Sequence, residues 1–357
     1  MGPNEFLFFV SFLGFIVSML LIDLGVFSKS SHVVSFKEAS AWSIVWITFA
    51  LAFYFLLSTH GDLIHGITNS KELDQIVSQY VDHKSELVGY DENNFDKNIQ
   101  IYRNNLALEF ITGWLLEYSL SVDNIFVIIH IFTSFGVKEA FYKKVLMWGI
   151  LGAVVMRFLF IFLGSALIQQ AHWVLYIFGL LLLFSGLKMF FSNDEEKIET
   201  EKHPIVKFAS RYFLVYPRYV KDRFFIRKTG RIYITPLFVV ILIIEFTDLL
   251  FAVDSVPAVF AVTKDPYIVF FSNIFAIMGL RSMFFFLSNV MHLFHYLKTG
   301  LAFLLTFIGV KMLTAEWLVH IGFKTEYSLY IILAILAISV SASLLFPKKH
   351  EEEKVPA

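Results

Sequence analysis

Long apolar runs dominate the chain, and most polar residues are gathered into the segments between them. The runs are about 20 residues long, the length that an α-helix needs to cross a bilayer. The strict alternation of barrel strands is absent, so the runs predict helices, which satisfy their own backbone hydrogen bonds in lipid. We predict an all-α polytopic membrane protein with nine spans, at residues 6–27, 39–58, 106–134, 145–168, 173–191, 234–262, 268–290, 301–313 and 329–346.

The charges of the connecting segments predict the orientation, because lysine and arginine favour the cytoplasmic side of a membrane. An outside N-terminus puts the basic segment 192–233 inside and the acidic segment 61–105 outside, and nine spans then leave the C-terminus inside. The predicted organisation is two peripheral helices (1–60), an acidic extracytoplasmic insert (61–105), a first three-span repeat (106–191), a basic aromatic cytoplasmic loop (192–233), a second repeat (234–313), and a last span with a charged tail (314–357).

Composition agrees with this fold class and excludes one type of chemistry. Hydrophobic residues make up 57% of the 357 residues, and 42 are phenylalanine, which is far from the composition of soluble domains. The chain has no cysteine, which excludes disulfides, thiolate metal ligands and cysteine nucleophiles.

An internal repeat relates residues 106–191 to residues 234–313. Three correspondences run in the same order in both segments: Glu117 and Asp123 with Asp248 and Asp254, Arg157 with Arg281, and Gly186-Leu187-Lys188-Met189 with Gly309-Val310-Lys311-Met312. Each unit has three spans, an odd number, so the second must enter the membrane in the opposite orientation. We therefore predict a 3+3 inverted repeat, an architecture of transporters that bind substrate near the midplane.

The candidate metal site consists of polar side chains inside apolar spans, where ionisable groups are costly and usually functional. The predicted ligands are Glu117, Asp123 and Asn124 in the first repeat and Glu245, Asp248, Asp254 and Ser255 in the second. Carboxylate, amide and hydroxyl oxygens suit manganese or calcium better than copper or zinc.

Regular helices would not gather all five carboxylates, because positions six residues apart differ in direction by about 120°. The expectation is therefore that the helices are broken at the site, near Pro257 in the second repeat and around Asp123 in the first. Broken helices at the midplane expose carbonyl oxygens that can coordinate a cation.

Structural ion pairs are the competing interpretation, since buried carboxylates can simply pair with buried bases. The residues given supporting ion-pair or gating roles are Asp23, Arg157, Arg281, Lys188 and Lys311. Five acids against two arginines leave a surplus of acid, which favours an ion pathway. Asp23 either pairs with Lys29 or forms part of a cytoplasmic entrance, and Glu109 is expected at the outer surface near Arg103.

The segment 192–233 interleaves basic and aromatic residues beside the membrane. This pattern predicts an interfacial helix that lies against anionic lipid headgroups, and the flanking spans argue against nucleic-acid binding. No oligomeric state is predicted.

The two acidic segments, EYSLSVDNIFV from Glu117 and EFTDLLFAVDSVPA from Glu245, resemble the paired signatures of the TerC family of integral membrane proteins. The segment LIDLGVF and the two Gly-x-Lys-Met segments resemble that family too. The resemblance implies a bacterial inner-membrane protein linked to tellurium resistance and metal homeostasis, above all manganese export. It places Glu117, Asp123, Glu245, Asp248 and Asp254 at the family's acidic positions.

The leading hypothesis is a secondary transporter that exports manganese, with proton coupling and calcium as alternatives left open. The main rival is a non-transporting membrane scaffold in envelope or metal stress, with structural carboxylates. A calcium/proton exchanger is a further alternative. An intramembrane aspartyl protease could use Asp123 and Asp254, but the surplus carboxylates and the lack of a Gly-x-Gly-Asp segment argue against an enzyme.

Overall fold

A computed structural model describes residues 3–23, 34–81, 87, 89–91, 94–171, 173–191, 204–228, 230–290 and 296–346. Its α-helices are α1 Pro3–Asp23, α2 Phe36–His60, α3 Ser70–Tyr80, α4 Phe95–Ser134, α5 Glu139–Gln170, α6 Trp173–Phe191, α7 Pro204–Tyr212, α8 Pro236–Phe260, α9 Pro266–Met278, α10 Leu280–Val290, α11 Leu297–Leu313, α12 Ala315–His320 and α13 Thr325–Leu345. A 3-10 turn, Gly61–Ile64, follows α2, and two strands, β1 Phe225–Lys228 and β2 Arg231–Ile234, lie between α7 and α8.

The predicted class, an all-α polytopic membrane protein, is confirmed. In the described part of the chain six helices are long and apolar enough to cross a membrane, or seven if the pair α9 and α10, which is bent by 49°, counts as one span. Two further apolar segments are shorter than these six. The apolar stretch of α1 covers Phe6–Met19, and α11 has 17 residues. The count of nine spans stays a prediction.

The expected breaks at the acidic segments are wrong. Both α4 and α8 are continuous helices through their acidic residues. Pro257 lies in the last turn of α8, where its own carbonyl still accepts a hydrogen bond from Ala261 N at 3.0 Å. Proline there removes one backbone donor near the helix end, which costs less than a break in the middle. The bend lies instead at Gly279, between α9 and α10.

The insert 61–105 is partly helical. Asn69 caps α3 by accepting a hydrogen bond from Glu72 N at 3.0 Å, and Asn94 caps α4 in the same way through Lys97 N at 3.1 Å. The helix that contains the third predicted span therefore begins at Phe95, before residue 106. With 40 residues α4 is about 60 Å long, so it extends well beyond the hydrocarbon layer.

The segment 192–233 contains the expected amphipathic helix and also a hairpin that was not predicted. Helix α7 buries Ala209 and exposes Phe208 and Tyr212. The strands β1 and β2 are antiparallel, with Phe225 opposite Ile234. Their turn contains Gly230 at φ +76°, a conformation that glycine adopts without strain. Residues 192–203 lie outside the described part of the chain.

Phenylalanine rings pack α1, α2, α4 and α9 together. The ring of Phe12 lies 4.2 Å from Phe271, and Phe53 lies 4.8 Å from Phe275 and 4.9 Å from Phe110. Every residue of α9 is buried, which fits a helix that is apolar on all sides. These rings therefore hold the two N-terminal helices against α4 and α9.

Helices α6 and α11 pack through their glycines with reciprocal contacts. A side chain at Gly186 would come within 2.7 Å of Thr306 N and 2.9 Å of Ala302 O. One at Gly309 would come within 2.6 Å of Leu183 N and 2.8 Å of Gly179 O. As residue numbers rise along α6 they fall along α11, so the two helices are antiparallel, and the absent side chains allow their backbones to touch.

Candidate cation site

Arg157 of α5 is fully buried and joins three other helices. Its Nη1 is in ion-pair contact with Glu117 Oε1 of α4 and donates a hydrogen bond to Asn273 Oδ1 of α9 at 3.0 Å. Its Nη2 lies 3.4 Å from Asp248 Oδ1 of α8. An unpaired buried charge is very costly, so in this Arg157 cluster the arginine serves as the shared cationic partner of two of the five candidate carboxylates and ties these helices together.

The amide of Asn273 is itself oriented. Its Nδ2 donates to Val269 O at 3.0 Å, which leaves Oδ1 facing Arg157. Asn273 is not among the site residues predicted from the sequence. The signal was present, since Ser272 and Asn273 are a polar pair within the apolar run 266–278, and both prove to be fully buried.

A second group of candidates lines a separate cavity of about 340 Å³ between α4, α6, α8 and α11. We call it the Asp123–Asp254 cavity. Its walls include Asp123 and Asn124 from α4, Asp254 and Ser255 from α8, Ser185 and Lys188 from α6, and Lys298 and Leu305 from α11. The volume is sufficient for several water molecules, so a cation there could keep part of its hydration shell.

Hydrogen bonding fixes one carboxylate of this cavity and leaves a hydroxyl available. Ser185 Oγ donates to Asp254 Oδ1 at 2.9 Å. Ser255 Oγ is buried and has no hydrogen-bond partner among the described residues. On α6, Ser185 and Lys188 are three residues apart and share a face, while Gly186 points toward α11. The glycine packing of α6 therefore determines which α6 side chains reach the cavity.

Asn124 connects the two groups. It is 3% exposed and lines both the Asp123–Asp254 cavity and a much smaller cavity of about 20 Å³ beside Arg157 and Asp248. The smaller cavity has room for roughly one water molecule. Asp248 Oδ2 is buried without a hydrogen-bond partner among the described residues. Asn124 is thus the polar side chain that separates the carboxylates in the cavity from the Arg157 cluster.

Glu245 belongs to neither group. Its carboxylate lies directly against the backbone of Gly152 on α5, and it does not line either cavity. Within the described ranges, no three acidic or histidine side chains lie close enough to hold one metal ion together. The five carboxylates are therefore divided three ways, as expected for continuous helices.

The remaining supporting residues lie in different places. Lys188 lines the Asp123–Asp254 cavity, whereas Lys311 donates to Ala261 O at 2.9 Å, at the far end of α8. Arg281 is 9% exposed on α10. Asp23 is the last residue of α1, and both its side chain and Lys29 lie outside the described residues.

Outside the membrane, charged and polar contacts attach the 213–235 segment to the helix ends. Lys144 Nζ lies 2.9 Å from Asp222 Oδ2, and this hydrogen bond lowers the pKa of the Asp222 carboxyl. Tyr219 donates to Phe135 O at 2.7 Å, and burial raises the pKa of its hydroxyl to about 12.

Comparison with known proteins agrees with the resemblance found in the motifs. Residues 102–351 match the "Integral membrane protein TerC family". An uncharacterized membrane protein of Myxococcus xanthus is 38% identical over 94% of this chain and 91% of its own length. Alx of Escherichia coli strain K12, named as a candidate membrane-bound redox modulator, is 37% identical over 94% of both chains. A membrane protein of Rickettsia bellii is 33% identical over 94% of this chain and 96% of its own length.

No solved structure significantly matches the chain. The family match covers most of the chain and includes both acidic segments and both Gly-x-Lys-Met segments. The protein belongs to the TerC family of integral membrane proteins.

Proposed function

We propose that this protein is a secondary transporter that exports a divalent cation, manganese first, through the Asp123–Asp254 cavity. The observation that carries the proposal is the division of the carboxylates. Glu117 and Asp248 share Arg157 as their ion-pair partner, while Asp123 and Asp254 line a cavity large enough for water. Intramembrane carboxylates that face a cavity are typical of ion pathways.

The proposed ligand set is smaller than the seven residues predicted from sequence. Asp123 and Asp254 would supply carboxylate oxygens, and Asn124 and Ser255 would supply neutral oxygens from the next position on each helix. Glu117 and Asp248 act as partners of Arg157 and hold α4, α5 and α8 in register. Glu245 lies outside the ligand set. Its role would be to tune the choice of metal or to carry a coupled proton.

The reciprocal packing of α6 and α11 supports the inverted repeat. Ala302 and Thr306 contact Gly186, and Gly179 and Leu183 contact Gly309. Each pair of partners is offset by 123 residues, which is also the offset between the two glycines. Antiparallel equivalents that exchange contacts in this way fit a pseudo-two-fold axis in the membrane plane, about which repeats can rock to alternate access. In the proposed orientation, which follows the distribution of lysine and arginine, the N-terminus would lie outside and the C-terminus inside the bacterial inner membrane.

The donor chemistry favours manganese or calcium, because all four proposed ligands are oxygens. Manganese is preferred on the resemblance to the family. The name of Alx refers to redox modulation, but these 357 residues contain no cysteine, so we propose no thiol exchange by this chain.

Reconstitution into proteoliposomes tests the proposal directly. Manganese flux is measured with a quenched dye inside the vesicles, with and without a pH gradient and with calcium as competitor. Asp123→Asn and Asp254→Asn are each expected to reduce flux by about tenfold or more, because each removes a charge from a low-dielectric site. Asp96→Asn is the matched control, since Asp96 is exposed in the first turn of the same helix as Asp123.

Equal flux in the two cavity variants and the unmutated chain would overturn the proposal, as would no flux by the unmutated chain. Size-exclusion profiles of each variant confirm that the folded protein is being compared. Flux that follows calcium rather than manganese would replace the ion and retain the site.

A further inference from the structure

A further polar cavity lies near the predicted outer ends of α4, α8 and α11. This Glu109 cavity has a volume of about 110 Å³ and is lined by Glu109, residues 260–264 at the end of α8, and Lys311. Glu109 accepts hydrogen bonds from Thr263 Oγ1 at 2.6 Å and from Asn105 Nδ2 at 2.7 Å. Glu109 lines this cavity, and Arg103, the neighbour expected from the sequence, pairs with Asp62 at 2.7 Å.

The Asp123–Asp254 cavity and the Glu109 cavity lie at successive levels along the same three helices, α4, α8 and α11. On α8, Ser255 lines the Asp123–Asp254 cavity and Phe260 lines the Glu109 cavity, about 8 Å farther along the helix axis. On α11, Leu305 and Lys311 line the two cavities, about 9 Å apart along the axis.

Helix α4 repeats the arrangement on a single face. Asp123 and Glu109 are 14 residues apart, which brings them within about 40° of the same direction and separates them by about 21 Å along the axis. Leu116 and Leu120 lie between them on that face. The cavities are therefore consecutive chambers on one seam of the molecule.

A compact apolar cluster fills the space between the chambers. Leu116, Leu182, Leu304 and Ile308 are at most 2% exposed and belong to a cluster that also includes Ala258 and Met312. Met189, which lines the Asp123–Asp254 cavity, and Val262, which lines the Glu109 cavity, pack against this cluster from its two sides. A cation cannot cross such a layer while it is closed, because apolar side chains cannot replace its hydration shell.

We propose that Leu116, Leu182, Leu304 and Ile308 form the closed gate of the transport pathway, and that the Glu109 cavity is the release chamber beyond it. This inference rests on the proposed function and adds the route of the ion. The structure is then the inward-facing state, with the larger chamber on the predicted cytoplasmic side. The glycine contacts between α6 and α11 let Leu182 and Leu304 move as one wall of the gate.

The charges of the two chambers fit one-way release. The Asp123–Asp254 cavity is lined by two carboxylates and two lysines, Lys188 and Lys298. The Glu109 cavity is lined by one carboxylate and three lysines, Lys264, Lys311 and Lys324. A divalent cation that passes the gate meets a less negative chamber, which favours its departure.

Single-cysteine labelling tests the gate without requiring transport, because the natural chain has no cysteine. Val127→Cys probes the Asp123–Asp254 cavity, Val262→Cys the Glu109 cavity and Leu304→Cys the gate. A charged, membrane-impermeant thiosulfonate reagent is applied to vesicles of each orientation, without metal. We expect Val127→Cys to react from the cytoplasmic face, Val262→Cys from the opposite face, and Leu304→Cys from neither.

Reaction of Leu304→Cys as fast as Val127→Cys, or reaction of both cavity variants from the same face, would overturn the gate. A second measurement uses function. Leu304→Ala is expected to raise the passive manganese leak severalfold, whereas Phe303→Ala, whose side chain is 56% exposed on the same helix, leaves it unchanged. Equal leak in both variants would also overturn the gate.

Failure of the gate can be distinguished from failure of the proposed function. If the labelling pattern holds but Asp123→Asn and Asp254→Asn transport normally, the chambers are real and the cation function is wrong. If these two variants lose flux but Leu304→Cys is readily labelled, the cation function stands and the gate lies elsewhere.

Discussion

The carboxylate of Glu245 on α8 occupies the space on α5 that a side chain at Gly152 would fill. A Cβ at Gly152 would overlap both carboxylate oxygens, so any side chain here would have to displace the end of the Glu245 side chain. The contact lies between α5 and α8, the helices that carry Arg157 and Asp248.

The first prediction concerns this contact. Gly152→Ala is expected to lower stability by about 1 kcal/mol, at the low end for overpacking, because the new methyl group displaces the flexible end of Glu245. Gly164→Ala on the same helix is the control, since a Cβ there would lie 3.4 Å from Phe260, an ordinary contact. Thermal unfolding in detergent compares the two variants.

Adding Glu245→Ala to the Gly152→Ala chain should recover part of the lost stability, because the smaller side chain clears the space. No recovery in the double variant would mean that the glycine serves another purpose.

The second prediction concerns the Arg157 cluster. Arg157→Met is expected to cost about 3–5 kcal/mol, since it leaves Glu117 and Asp248 without their buried cation. Folded protein should fall sharply, as measured by size-exclusion chromatography of the solubilised membrane. Arg227→Met, at an exposed position on β1, is the control for loss of an arginine.

A second substitution in the Arg157→Met chain tests whether the loss of folded protein comes from the unpaired carboxylates. Combining Arg157→Met with Glu117→Gln should recover part of the folded protein, because one of the two carboxylates left without a cation is neutralised as well. A double variant no better than Arg157→Met would show that the arginine acts through packing and not through its charge.

The third prediction concerns the attachment of the 213–235 segment to α4. The pKa of Tyr219 is raised from 10.0 to about 12 by burial, so the neutral hydroxyl is the form favoured by the fold. Its contribution to stability is complete below about pH 10, the pKa expected in the unfolded chain, and is lost as the pH rises through about 12.

Tyr219→Phe removes the hydrogen bond to Phe135 O and should cost about 1 kcal/mol at neutral pH. Limited proteolysis of the 213–235 segment should be faster in this variant and should lose its dependence on alkaline pH. Tyr216→Phe is the control, since Tyr216 packs against Tyr233. Identical digestion of all three chains would contradict the prediction.

The fourth prediction concerns anionic lipid. Helix α7 exposes Phe208 and Tyr212 beside Lys207 and Arg211, the pattern of a helix at the headgroup level. A spin label at Phe208→Cys should be more accessible to oxygen than to a water-soluble nickel complex, and a label at Lys207→Cys should show the reverse. The difference should be larger in anionic than in neutral bilayers. Equal accessibility at both positions would place α7 in water.

The sequence by itself determined where the helices are and which residues carry the chemistry. Over the described residues each predicted span falls largely on observed helix, because a backbone in lipid must satisfy its own hydrogen bonds and apolar length reveals it. The acids at 117, 123, 245, 248 and 254 stood out for the same reason, since charge is rare inside apolar runs.

Tertiary structure decided how those acids are divided. Whether Asp248 meets Arg157 or the Asp123–Asp254 cavity depends on the rotation of α8 against α5, which is set by contacts such as Gly152 with Glu245. Likewise, Asn273 and Ser185 became functional candidates only when α9 was found beside Arg157 and α6 beside Asp254. Periodicity reports the faces of one helix, whereas a site requires the relative positions of several, and packing alone sets those positions.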